Sequence, residues 1–161
     1  MSRDINKFRK PGLILLFQKR CMEELGLKVM ITCVDRTLQE QSALWAQGRE
    51  PLDYVNNLRK LAGMLPISIA ENRHKVTWTM ASRHLINLED DRVDNNLSNA
   101  FDFAIVYNGK AVWDIKADVN EDKIPDYTQC GMIAESIGLI WGGSWEKNKD
   151  FPHCELKKEA V

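Results

Sequence analysis

The segment NAFDFAIVYNGKAVWD, residues 99–114, constrains the fold more than any other part of the chain. Two apolar, β-prone runs flank Asn108-Gly109, the dipeptide that best accepts the positive φ angles of a type I′ hairpin turn. The segment therefore predicts a β-hairpin, and with it at least one pair of antiparallel strands.

The remaining segments predict helices and strands in a mixed order. An apolar repeat in GLILLFQKRCMEELG, residues 12–26, predicts an amphipathic helix that Gly26 closes. The β-branched run LKVMITCVD, residues 27–35, predicts a buried strand. Thr37 and Glu40 have the spacing of a capping box, which predicts a helix that lasts until Gly48.

The later segments are shorter. Residues 49–74 predict an excursion that contains one short helix, which Pro66 ends. VTWTMAS, residues 76–82, alternates and predicts another strand, residues 126–138 predict a helix, and IWGGSW and HCEL predict short extended pieces. Since regular βαβ alternation and internal repeats are both missing, the sequence indicates an α+β fold, a small antiparallel sheet flanked by helices.

Composition and charge limit the number of domains and the kinds of binding partner to expect. A chain of 161 residues with 44% hydrophobic residues is long enough for one sizeable core, so a single domain over residues 1–161 is expected. Lys plus Arg total 22 against 23 for Asp plus Glu, which gives no reason to expect a nucleic-acid partner or an anionic membrane surface. The longest apolar run, residues 13–17, is too short for membrane insertion, and we expect synthesis in the cytosol.

The four cysteines and the three histidines limit which metal or thiol sites the sequence can form. Cys21, Cys33, Cys130 and Cys154 lack CxxC spacing, so we expect reduced core residues. His84 follows the predicted strand 76–82, Asp102 lies in the hairpin, and His153 opens the last extended piece. Two imidazoles and a carboxylate are a common ligand set for catalytic zinc. Spacing alone leaves ordinary, hydrogen-bonded histidines as the more frequent alternative.

Five segments, in order, resemble a known family: DRTLQEQSALWAQGRE, VTWTMASRH, NAFDFAIVYNGKAVWD, GLIWGGSW and DFPHCEL. The resemblance is to the zinc-dependent D-Ala-D-Ala carboxypeptidases and L-alanyl-D-glutamate endopeptidases of peptidase family M15, and most of all to its single-domain phage endolysins. It runs from about Asp35 to Leu156. It implies a fold that the non-catalytic hedgehog signalling domain shares.

The resemblance also implies roles for individual residues. The family pattern S-x-H, G-x-A-x-D and an acid three residues before the last histidine matches Ser82 to His84, Ser98 to Asp102, and Asp150 to His153. It implies that His84, Asp102 and His153 hold Zn²⁺, that Asp150 is the catalytic acid/base, and that Arg36 and Ser82 contact substrate. For Arg36 a surface salt bridge is the alternative. Trp113, Trp141 and Trp145 are expected near the site or in the core.

Asp150 and His153 need a bend between them, because side chains at i and i+3 of a straight strand point to opposite faces. Pro152 fixes its own φ and keeps Phe151 extended, which allows Asp150 to lean back towards the metal. Cys154, the neighbour of His153 on a strand, points the other way and is poorly placed as a nucleophile.

The chain departs from the family pattern in several places. His84 and Asp102 are eighteen residues apart instead of seven, so residues 85–98 carry an insertion. We expect a solvated loop, with a site cover, substrate selection or a cation held by Glu89, Asp90, Asp91 and Asp94 as alternatives. Ser98 replaces a glycine and Ser144 an aspartate. Residues 118–122 resemble the start of a calcium loop, but Lys123 and Gln129 occupy its positions six and twelve, which predicts a polar turn.

The resemblance therefore implies a zinc metallopeptidase that cleaves the peptidoglycan stem peptide, at the L-Ala-D-Glu bond, as a phage or prophage endolysin. A D-Ala-D-Ala carboxypeptidase and a non-catalytic zinc domain are the alternatives. Further expectations are a monomer without a separate cell-wall-binding domain. The enzyme would stay in the host cytoplasm until a holin-type pore gives it access to the cell wall.

Overall fold

The computed structural model describes residues 1–86 and 96–158. Four helices and five strands make up its regular structure. The helices are α1 (Pro11–Leu25), α2 (Leu38–Ala46), α3 (Leu52–Leu61) and α4 (Asp126–Ser136), and the strands are β1 (Lys28–Cys33), β2 (Ala100–Tyr107), β3 (Lys110–Val112), β4 (Leu139–Trp141) and β5 (His153–Leu156). The predicted α+β class is confirmed.

The five strands form one antiparallel sheet with the order β1-β2-β5-β4, and β3 pairs with β2 as its hairpin partner. Asn108 and Gly109 have φ angles of 48° and 74°, the left-handed values that a type I′ turn requires. The predicted hairpin is therefore confirmed, and its first strand, β2, lies inside the sheet.

One face of the sheet packs against α1 and α4. Phe101 and Phe103 alternate with Asp102 along β2, so the two rings point into the core while the carboxylate points to the opposite face. The rings of Phe17 and Phe103 lie 5.0 Å apart, and Tyr127 of α4 lies 5.4 Å from Phe103. Packing in the core therefore holds β2, the strand that carries Asp102, in place.

The ends of the helices follow the predicted signals. α1 stops where Gly26 adopts a φ of 68°, and the Thr37 side chain and the Glu40 side chain form the reciprocal capping box at the start of α2. The exception is α3, which ends at Leu61, earlier than the predicted stop at Pro66, and Gly63 just beyond it has a φ of 68°. All four cysteines are buried, as predicted, and have free thiols.

The prediction of a strand at residues 76–82 is wrong. This segment has no regular structure, and Val76 and Trp78 are exposed. The side-chain amide of Gln41, on α2, donates to the Thr79 carbonyl at 2.7 Å and to the Thr77 hydroxyl at 3.1 Å. A buried side chain therefore takes a backbone carbonyl that a strand partner would have bonded, which an alternating pattern cannot reveal.

The extended prediction for IWGGSW holds only for its first part. β4 ends at Trp141, and Gly142–Ser144 form a 3₁₀ turn. A Cβ atom at Gly143 would lie 2.1 Å from the Trp141 ring, and one at Gly131 would lie equally close. The two glycines therefore let this indole lie flat in the core.

Ser98 leaves the backbone path into β2 unstrained, because it is not among the residues with positive φ. Its buried hydroxyl donates to the Ala100 carbonyl at 2.7 Å and accepts from the Ala100 N–H at 3.0 Å. The most central part of the insertion, including Glu89, Asp90, Asp91 and Asp94, lies outside the described residues.

In the polar segment at residues 118–126, the carboxylates accept hydrogen bonds from N–H groups of the same segment. Asp118 accepts from the N–H groups of Asp122 and Lys123, and Asp126 accepts from that of Val119. Within the two described ranges, no helix has the length and apolar character needed to cross a membrane.

Candidate metal centre

Three side chains from three segments converge on one point beside the sheet. Asp102 in β2 is the direct cross-strand partner of His153 in β5, and its Oδ1 lies 3.1 Å from His153 Nδ1. His84 Nε2 lies 3.1 Å from the same oxygen and 3.3 Å from His153 Nδ1. The structure thus brings together the three side chains for which the resemblance implied zinc binding.

The other nitrogen of each histidine contacts an acceptor outside the cluster. His84 Nδ1 lies 2.8 Å from the Val34 carbonyl oxygen, and His153 Nε2 lies 3.1 Å from Glu155 Oε2. Because neither oxygen can donate, these two nitrogens carry the N–H groups of the neutral imidazoles. The inward atoms are then three lone-pair acceptors, which can lie this close only when a cation or added protons stand between them.

The electrostatics of the metal-free cluster agree with that conclusion. Burial is the largest single influence and lowers the pKa of His84, but the charge and hydrogen bond of Asp102, together with the hydrogen bond of Cys33, outweigh it and raise the pKa to about 10. Burial raises the pKa of Asp102, but His84 and His153 hold it well below its usual range. In the absence of a metal, protons therefore supply the positive charge at this point.

The donor set and its spacing fit zinc. Zn–N and Zn–O bonds of about 2.0–2.1 Å in a tetrahedral site separate neighbouring ligand atoms by roughly 3.3 Å. The three observed separations, 3.1, 3.1 and 3.3 Å, are close to that value. Three protein ligands leave a fourth position, which is the arrangement of catalytic zinc sites.

Cys33 is a further potential ligand. Cys33, His84 and Asp102 offer ligand atoms that lie within 4.8 Å of one another. However, Cys33 Sγ lies 3.7 Å from His84 Nδ1, the nitrogen that is occupied by Val34. The set that includes His153 is tighter and uses the free nitrogen of His84, so we favour it as the metal-binding set.

Asp150 lies beside the cluster at the bend predicted around Pro152. Its backbone N–H donates to the Gly142 carbonyl, and its own carbonyl accepts from His153 N–H at 3.2 Å. Although the residue as a whole is exposed, burial of its carboxyl in the cleft raises its pKa, and Asp102 raises it further. A raised pKa is the usual property of a carboxyl group that exchanges protons during catalysis.

Arg36 contacts a proposed metal ligand directly. Its guanidinium donates to Asp102 Oδ2 at 2.9 Å and weakly to Gln41 Oε1 at 3.4 Å. Only 14% of its side chain is exposed, so this ion pair is not the surface salt bridge weighed as an alternative. Because Arg36 holds Oδ2, the other oxygen, Oδ1, is the one that faces both histidines.

Ser82 supports the turn that carries His84. Its hydroxyl accepts from the His84 N–H at 3.3 Å, and its carbonyl accepts from the Leu85 N–H at 3.2 Å. Ser82 also lines the cleft, where a substrate contact stays a prediction.

All six predicted site residues line one open cleft of about 600 Å³: Arg36, Ser82, His84, Asp102, Asp150 and His153. Trp113 and Trp145 line it as well, and the Trp145 ring lies 5.1 Å from that of His153. Trp141 is buried and bonds to the Phe151 carbonyl, so it supports the site from the core. The cleft is large enough for a short peptide.

Three residues of the site were not predicted from the sequence. Glu155 had a usable signal, since residues i and i+2 of a strand share a face and His153 stands two positions earlier. Gln41 and Cys33 had none, because only the folded chain brings α2 and β1 next to Arg36 and His84.

The first comparison with known proteins is a family profile that matches part of the chain. Residues 96–156 match the profile of a family described as D-alanyl-D-alanine carboxypeptidase, a branch of peptidase family M15. This segment includes Asp102, Asp150 and His153. The match relates this segment, less than half of the chain, to the M15 peptidases.

Two individual proteins are similar to the chain, one in sequence and one in fold. Over 132 residues the chain is 27% identical to the peptidoglycan L-alanyl-D-glutamate endopeptidase CwlK of Bacillus subtilis, a stretch that covers 81% of this chain and 62% of that protein. The crystal structure of the L-Ala D-Glu endopeptidase ChiX of Serratia marcescens is similar in fold, with a TM-score of 0.52 and 16% identity over 96% of this chain and 84% of ChiX.

Proposed function

We propose that the chain is a zinc-dependent peptidase that hydrolyses the peptidoglycan stem peptide at its L-Ala-D-Glu bond. The observation that carries the proposal is the convergence of three lone-pair atoms, from His84, Asp102 and His153, in an open cleft beside Asp150. The similarity to CwlK and ChiX supports the choice of bond.

Each residue has a distinct part in this proposal. When bound, zinc lowers the pKa of a coordinated water towards about 7 and polarises the scissile carbonyl. Asp150 accepts the proton of the attacking water at its carboxylate and delivers it to the leaving amine. Arg36 orients Asp102 through Oδ2 and provides positive charge near the reacting carbonyl. We assign binding of the peptide to the hydroxyl of Ser82, because this residue lines the cleft.

The test is a digestion of purified peptidoglycan by zinc-loaded protein, followed by mass spectrometry of the soluble products. We expect new N-terminal D-Glu and no release of free D-Ala. Loaded protein that releases neither product would overturn the proposal, and Asp150→Asn serves as the inactive control.

A D-Ala-D-Ala carboxypeptidase is the second candidate, because the family profile that matches residues 96–156 has that description. Release of free D-Ala without new N-terminal D-Glu would favour it. A non-catalytic zinc domain is less well supported, since a purely structural metal site needs neither Asp150 nor the cleft around it.

The biological setting we propose is that of a phage or prophage endolysin that acts as a monomer, with the single domain at residues 1–161. The basis is the resemblance to single-domain phage endolysins. Expression in bacteria with and without a holin-type pore tests this setting. We expect rapid lysis only when active enzyme and pore are present together, and lysis that is equally fast without the pore would contradict it.

A further inference from the structure

The carboxylate of Glu155 lies behind His153, on the side of the imidazole away from the other two converging side chains. Its Oε2 is 3.1 Å from His153 Nε2, and the two residues share a face of β5. Glu155 pairs with Ala100 in β2 and with Ile140 in β4. Because β5 has a partner on each side, the backbone that carries this carboxylate is fixed.

The guanidinium of Arg83 lies near the other oxygen of Glu155, at ion-pair distance but without a hydrogen bond from Nε. Arg83 Nε lies 3.9 Å from Glu155 Oε1, and an Arg83 Nη atom donates to the Leu156 carbonyl at 3.0 Å. Only 29% of the Arg83 side chain and 15% of the Glu155 side chain are exposed. Since Arg83 directly precedes His84, this ion pair joins the two segments that carry the histidines, at a point outside the metal centre.

We propose that Glu155, paired electrostatically with Arg83, is a positioning residue that keeps the Nδ1 lone pair of His153 directed at the metal. A carboxylate that accepts from Nε2–H fixes the tautomer and the ring orientation, and it makes the opposite nitrogen a stronger ligand. This inference rests on the metal site of the proposed function.

The two histidines are supported in different ways. His84 donates to the neutral carbonyl of Val34, whereas His153 donates to a charged carboxylate. Hydrogen bonds to an ionised acceptor are stronger than those to a neutral one. His153 therefore receives more negative charge from its outer partner, and removal of that charge should weaken metal binding although no metal ligand is changed.

A merely structural ion pair predicts a different result. If Glu155 only tied β5 to Arg83, its loss would lower the stability of the fold and leave the zinc affinity of folded protein unchanged. The zinc dissociation constant, measured without substrate, separates these possibilities. It also does not depend on which peptide bond the enzyme cleaves.

The experiment is a zinc titration in competition with a chromophoric chelator at one fixed pH. We expect Glu155→Ala to bind zinc about 10- to 100-fold more weakly than wild type, and Glu155→Gln to fall between them, because its amide oxygen still accepts but carries no charge. Glu146→Gln removes an exposed carboxylate close by in the sequence and should leave the affinity unchanged.

Two further measurements complete the test. Arg83→Ala should weaken zinc binding in the wild-type background but not in the Glu155→Ala background, since Arg83 acts through Glu155. In the ¹⁵N NMR spectrum of zinc-loaded protein, the Nε2–H of His153 should exchange slowly with solvent in wild type and faster in Glu155→Ala. Circular dichroism confirms that each variant is folded, and Glu155→Gln carries the test if Glu155→Ala is not.

Zinc affinity of Glu155→Ala within twofold of wild type would overturn the inference. Wild-type protein that fails to bind zinc would instead overturn the metal site itself, so the two failures are distinguishable.

Discussion

Two of the three converging side chains stand on paired strands, and the third stands on a segment without regular structure. Asp102 and His153 are direct cross-strand partners, so the sheet itself sets their separation. His84 lies in a turn that backbone bonds attach to Arg36, from Arg36 N–H to His84 O at 2.9 Å and from Ile86 N–H to Arg36 O at 3.0 Å. The site therefore combines a strand-borne pair with a loop-borne ligand.

The difference explains how the chain accommodates a long insertion between His84 and Asp102. Both flanks of the insertion are tied to the rest of the fold. Besides the bonds around Arg36, the Asn99 N–H donates to the Arg83 carbonyl at 3.0 Å, and the Ser98 N–H donates to the Lys7 carbonyl at 2.7 Å. Since loop closure becomes costlier only slowly with length, extra residues between anchored ends need not move the ligands.

The most severe test of the comparison removes one ligand from each region. We expect His153→Ala and His84→Ala to lower zinc affinity by about 1,000-fold or more, because each removes one of the three proposed protein ligands. Zinc titration of the two folded variants measures this. Near-wild-type affinity in His84→Ala would mean that the strand-borne pair suffices, and the loop-borne histidine would lose its assigned role.

Asp150 separates proton transfer from metal binding. We expect Asp150→Asn to lower kcat by about 100- to 10,000-fold, the range for loss of a general acid/base, while zinc affinity changes little. Asp53→Asn, on α3 and outside the cleft, is the matched control and should hydrolyse peptidoglycan at the wild-type rate. Wild-type turnover in Asp150→Asn would show that another group carries the proton.

Local signals predicted most of the sheet and the helices. The hairpin at Asn108-Gly109 and the capping box at Thr37 and Glu40 involve residues close in sequence, so their patterns determine their structure. The segment at 76–82 was misjudged, because its partner is the side chain of Gln41, far away in the chain. Alternation reports local β propensity but not which group supplies the hydrogen bonds.

The candidate site likewise has features that the sequence predicted and features that it did not. The resemblance selected all six site residues that line the cleft, but it gave no account of what holds them. The supports are long-range contacts, such as Arg36 on Asp102 and Val34 on His84. Such contacts arise only when β1, β2 and the turn at residue 84 meet, so a single sequence does not reveal them.

The protonation of the two regions gives a further test. Without a metal, the surroundings of His84 raise its pKa to about 10. Burial lowers the pKa of His153, but Asp102 and Glu155 outweigh burial, so this pKa is raised as well. At neutral pH zinc must therefore displace protons, and its apparent affinity should rise with pH. Below the pKa of His84, the rise is about tenfold per pH unit for each proton released.

Isothermal titration calorimetry in buffers of different ionisation enthalpy counts the protons released. We expect at least one proton at pH 7, and more than one if both regions of the site are protonated before zinc binds. Equal apparent enthalpies in all buffers would mean that the imidazoles are already neutral, against the electrostatic description of the cluster.

The smallest expected effect concerns the flank of the insertion. Ser98→Gly removes a buried hydroxyl that bonds to both backbone groups of Ala100, and it should lower the free energy of unfolding by about 1–2 kcal/mol. The backbone hydrogen bonds of residue 98 to Lys7 and Arg9 remain, so Asp102 should stay in place. Zinc affinity should therefore stay within about twofold of wild type. This change is far smaller than the one expected when a contact that supports a metal ligand is lost. Ser144→Gly, at an exposed position, is the control for the conformational freedom of glycine, and chemical denaturation of both variants isolates the contribution of the buried hydroxyl. If zinc affinity fell in parallel with stability, the flank would control the ligand geometry, and the separation between the strand-borne pair and the loop would not hold.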